Sequence, residues 1–113
     1  MRNLRPTLGN TRDMAVPDDD ALYMIRDSVA RRHTLIWGRL EDREGHVCAI
    51  GAFFADNGGK ALNSALVDEV AAYNDSVPPS VPDRERRNKV LEWLNWKLDV
   101  LAGRVLASVK LAS

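Results

Sequence analysis

Cys48-Ala49-Ile50-Gly51-Ala52-Phe53-Phe54-Ala55 is apolar on every side. Such a run is either a fully buried helix or a fully buried strand, and periodicity does not separate the two. The small residues Ala49, Gly51, Ala52 and Ala55 favour a central helix with close neighbours. Asn57-Gly58-Gly59 then stops it, because these residues tolerate positive φ. Whether residues 46–49, just ahead of the run, are strand or helix stays open.

Upstream, a first helix is expected from near Pro17, since proline suits the first helical position. Asp18, Asp19 and Asp20 fall in its first turn, where the helix dipole favours negative charge. Leu22, Ile25 and Val29 form its apolar face, and Arg31-Arg32-His33 closes it with the charge its C-terminus prefers. From Thr34 to Val47, two short apolar segments flank the charged turn Glu41-Asp42-Arg43-Glu44-Gly45. This reads as a short β-hairpin or an extended loop, which must lean on helices because an isolated hairpin is marginal.

Downstream, Ser64 is a candidate cap for a helix running to about Tyr73, with Leu66, Val67, Val70 and Ala71 as its stripe. Asn74-Asp75 reads as the end of that helix, and Ser76-Val77-Pro78-Pro79 as a stiff connector. Ser80-Val81-Pro82-Asp83 has capping-box spacing, with aspartate in the acid position. Val90, Leu91, Leu94, Leu98, Leu101 and Val105 then recur every three to four residues, and Gly103 ends or kinks this last helix. Trp93, Trp96 and Val100 widen the stripe beyond one ordinary core-facing face.

The chain has 113 residues, 45% hydrophobic and 28% charged, which suits one globular domain with a core of its own. Sixteen basic residues balance sixteen acidic ones, which argues against a strong nucleic-acid binder and equally against an acidic mimic of DNA. The lone Cys48 excludes an internal disulfide and fits a reducing, cytoplasmic setting. The N-terminus has no apolar stretch behind its arginines to make a secretory signal, and no run is long enough for a membrane span.

Three features stand in order: Trp37-Gly38, then Cys48-Ala49-Ile50-Gly51-Ala52, then Tyr73-Asn74-Asp75 ahead of a proline-flanked helix. Over roughly residues 35–100 this pattern resembles a family of uncharacterised small proteins from bacteria and their phages, known as a domain of unknown function. Phe53 stands where that family's pattern has leucine, and Trp37 has no adjoining cysteine. The resemblance implies a helical fold and a bacterial or phage setting. It brings no activity, cofactor or catalytic residue.

Five groups could carry function. Cys48 with His46 would make a nucleophile and base if both lay on one strand face, against the simpler reading of Cys48 as a small core residue. Metal binding by His33, His46, Cys48 and scattered carboxylates lacks the paired spacing of a structural zinc site, so no metal and no cofactor are expected. Tyr73, Asn74 and Asp75 are either turn chemistry or one wall of a polar pocket. Arg84, Arg86 and Arg87, with Lys89, read as a solvated face. Their place near a helix N-terminus is mildly unfavourable and hints at an anionic partner. Trp93 and Trp96 are either core or an exposed aromatic patch of the kind found at interface hot spots.

The expected architecture is mostly α: a compact bundle of about four helices, with a short β-hairpin or extended loop between the first and second. Residues 1–15 form a flexible N-terminal arm and 16–113 a single helical domain. Ile50, Phe53, Phe54, Leu66, Val70, Leu94 and Leu98 are the expected centre. The leading expectation for function is a non-enzymatic protein-binding module, a phage or accessory protein engaging a host or self partner through Trp93, Trp96 and Val100. The alternatives are a small cysteine-dependent enzyme using Cys48 and His46, and a weak nucleic-acid binder using Arg84, Arg86 and Arg87 with the N-terminal arm.

Overall fold

In the computed structural model, residues 15–103 are described. Four helices follow one another: α1 (Asp18–Ala30), α2 (Ala49–Asp56), α3 (Ser64–Ser76) and α4 (Asp83–Leu101). The protein is a mostly α, compact bundle, and α1 is its axis, packing chiefly against α4 and α2. α3 packs on α2 and meets α4 only sparingly.

α1 starts directly after Pro17 and holds its three aspartates in the first turn. Ala21, Leu22, Ile25, Ser28 and Val29 are its buried face, the spacing of one helical stripe. The run from Cys48 resolves as a helix. Its residues Ala49 to Phe53 are all buried, and Cys48 is the N-cap, its sulfur accepting a hydrogen bond from the Gly51 amide at 3.4 Å. Phe54, expected at the centre, is 38% exposed and meets Phe53 edge-on with ring centroids 5.4 Å apart. A helix turns successive residues by about 100°, so Phe53 and Phe54 cannot share one face.

Between α1 and α2 the chain runs as an extended loop. Among the described residues its β pairing is one antiparallel bridge, Glu41 to Val47. Two further backbone bonds, Ile36 N to Val47 O and Cys48 N to Leu40 O, fold the loop onto itself. Gly51 lies against it so closely that a Cβ there would stand 2.1 Å from the Leu40 carbonyl oxygen.

Boundaries differ from the sequence expectation at three places. Asn63, not Ser64, caps α3, its side chain accepting from the Ala65 amide at 3.0 Å. α3 passes through Asn74 and Asp75 and ends at Ser76. Val77 leaves it with extended backbone, as the following Pro78 requires. Ser80 forms no capping box; Pro82 precedes α4 and no side chain caps it. At the other end Gly103, with φ of 76°, terminates α4. Val105, nearly all of the proposed arm and the tail beyond Gly103 lie outside the described residues.

The ends of α1 and α2 are tied by charge. Arg32 makes two bonds of 2.9 Å to the two oxygens of Asp56, and Arg31 adds a third at 2.8 Å. The Arg32 guanidinium holds the Asp56 carboxyl far below the usual carboxylate range. Paired, bidentate geometry of this kind fixes orientation as well as energy.

Gly51→Ala tests the close contact between α2 and the loop. Alanine is the better helix former by about 1 kcal/mol, yet the clash with Leu40 is expected to reverse the sign and lower stability by about 2 kcal/mol. Urea denaturation followed by circular dichroism measures it.

Candidate functional site

Cys48 and His46 do not form a catalytic pair. Cys48 is buried at the head of α2, and His46 is exposed on the turn before it. They border different depressions: Cys48 lies with Asn74, Asp75 and Arg39, and His46 with Arg31, Arg32 and His33. A helix N-terminus ordinarily lowers a thiol's pKa, and the Gly51 and Ile50 amides act in that direction. Burial outweighs them and pushes the Cys48 thiol up. A neutral buried thiol is a poor nucleophile.

His46 belongs to another group that the sequence did not signal. Asp42 Oδ1 accepts hydrogen bonds from the Glu44 and His46 amides at 2.9 Å each, which shapes the turn. His46 Nδ1 then lies 3.4 Å from Asp42 Oδ2 and 3.8 Å from Glu44 Oε1. One donor atom from each of the three falls within 4.8 Å of the others, the one cluster of metal-ligand type among the described residues. All three residues sit on a turn open to water.

Asn74 is fully buried and spent on structure. Its Oδ1 accepts from the Ala49 amide at 3.2 Å, and its Nδ2 donates to Ile36 O and to Asp75 Oδ1 at 2.9 Å each. Asp75 Oδ1 also accepts from Gly38 N, and its backbone oxygen accepts from Trp37 Nε1, each at 3.0 Å. Trp37-Gly38, the start of α2 and Asn74-Asp75 therefore meet at one junction. Asn74 and Asp75 line a cleft of about 200 Å³, but Tyr73 does not. Tyr73 instead stacks on Trp93, ring centroids 4.5 Å apart and planes 5° from parallel.

The arginines of α4 have other employment than a solvated basic face. Arg86 is completely buried, which corrects its expected place on that face. Its guanidinium donates to the backbone oxygens of Asn74, Val77 and Pro78, where α3 ends. Arg87 donates to Arg32 O at 2.8 Å and Ala30 O at 3.0 Å, where α1 ends. The anionic partners hinted at by their position are thus the carbonyl ends of two neighbouring helices, which carry partial negative charge. Of the three arginines, only Arg84 is exposed.

The two tryptophans of α4 separate. Trp93 is half-buried under Tyr73, with Lys97 Nζ 5.1 Å from its ring centre. Trp96 and Val100 line a groove of about 250 Å³ between α1, α3 and the end of α4, together with Leu22, Leu66 and Leu101. Asp18 and the ion-paired Glu69 and Lys97 complete its rim. The Trp96 indole N–H is enclosed without a hydrogen-bond partner, and Leu101 is 50% exposed. Periodicity identified Trp96 and Val100; Leu22 and Leu66 carried only a core signal.

Comparison with family models, with curated proteins and with solved structures returns no match.

Two outcomes check these placements. Arg86→Leu strands three carbonyls and is expected to cost about 3 kcal/mol in urea unfolding, while Arg84→Ala stays within about 0.5 kcal/mol. Native Cys48 is expected to react with an aromatic disulfide at neutral pH about 100-fold more slowly than in the unfolded chain.

Proposed function

We propose that this chain is a non-enzymatic protein-binding module, a bacterial or phage accessory protein that engages its partner through the groove beside Trp96 and Val100. The observation that carries this reading is the groove itself. It is walled by Leu22, Leu66, Trp96, Val100 and Leu101. Apolar surface concentrated beside a tryptophan, with a charged rim, is the anatomy of an interface hot spot. At about 250 Å³ the groove falls below the size of ordinary small-molecule sites. It suits one or two side chains of a polypeptide.

Trp93 does not line this groove; its stack with Tyr73 joins α3 to α4. An enzymatic role through Cys48 draws no support from a buried thiol set apart from His46. No described helix is long and apolar enough to cross a membrane.

The test compares the wild type with Val100→Glu and Trp96→Arg, each first shown by thermal melting to be folded. A stoichiometric, nuclease-resistant protein partner held by the wild type is expected to bind each variant at least about 30-fold more weakly, the scale of a hot-spot residue. Undiminished binding by both folded variants would remove the groove from the function.

A further inference from the structure

We infer that the occupant of the Trp96 groove is a basic amphipathic helix of a partner protein; this rests on the groove being the docking surface. The first reason is shape. The groove lies along the last turns of α4, and an apolar slot beside a helix is what one face of an incoming helix fills. Its volume accepts one or two large apolar side chains, the number a helix presents from positions i and i+4.

Charge supplies the second reason. The groove is lined by Asp18, which begins the exposed run Asp18-Asp19-Asp20 on the first turn of α1. None of these three aspartates has an ion-pair partner among the described residues. Across the groove, Lys97, its basic lining residue, is already paired with Glu69. Among the described residues the groove's lining therefore keeps one carboxylate, Asp18, without an ion pair, and lysine or arginine flanking the apolar stripe would answer it.

The same charge argues against a second copy of this chain. A second copy docked through the same groove would bring another unpaired Asp18 and a Lys97 already paired with Glu69, so it supplies no cation to answer the charge.

The experiment uses the full chain and two synthetic helical peptides of about 18 residues. Both carry the same leucine stripe, one flanked by lysines and the other by glutamates. Binding is followed by the NMR resonance of the Trp96 indole N–H, assigned with a Trp96→Phe variant. The lysine peptide is expected to shift that resonance and to bind about ten-fold tighter than the glutamate peptide at about 50 mM salt, with the advantage shrinking at high salt. Asp18→Asn is expected to reduce it about three-fold. Equal binding of both peptides at Trp96 would overturn the basic class while leaving the docking groove in place. Failure of both to move Trp96 would overturn the groove as well. A concentration-dependent dimer that buries Trp96 would make a second copy the occupant and overturn the inference.

Discussion

The junction between Asn74 and Arg86 is the constraint on which the other packing depends. Asn74 sits in the last turn of α3 with no exposed surface, and its side chain bonds the loop at Ile36 and the start of α2 at Ala49. Its backbone oxygen is taken by Arg86 of α4. One residue thus connects three elements that share no regular hydrogen-bonded pairing. Hydrogen bonds to a charged group contribute roughly 1.5–3 kcal/mol each, and Arg86 places its own where α3 leaves carbonyls without helical partners.

That choice explains an otherwise awkward charge distribution. Basic residues in the first turn of α4 oppose that helix's own dipole. Arg86 and Arg87 reach instead to the C-terminal ends of α3 and α1, where the sign of the interaction is favourable. α4 is thereby pinned at its N-terminal end to both neighbours. Further along, α4 meets α3 through the Tyr73–Trp93 stack and the Glu69–Lys97 ion pair, and the Trp96 groove opens beside them.

Cys48 shows a similar contest between local and tertiary effects. As the N-cap of α2 it accepts the Gly51 amide, a position that in an exposed helix would favour the thiolate. Enclosure by the loop and α3 reverses the outcome. Gly51 permits that enclosure, because its missing side chain is the space into which the Leu40 carbonyl fits.

The four helices and the stripes of α1 and α4 were legible in the sequence, because apolar residues at helical spacing leave little else to do but bury one face. The run at Cys48 was legible as buried only as far as Phe53, with Phe54 and Ala55 exposed, and its small residues correctly favoured a helix. The groove was half legible: Trp96 and Val100 exceeded the width of one core face, but Leu22 and Leu66 looked like any stripe residue. Arg86 and Asn74 could not be placed, since a buried arginine or asparagine differs from an exposed one only in its partners. Apart from Asp75, those partners lie 8 to 38 residues away in the chain. Local spacing determines which residues can share a face. The fold alone decides which distant carbonyl, amide or ring that face will meet.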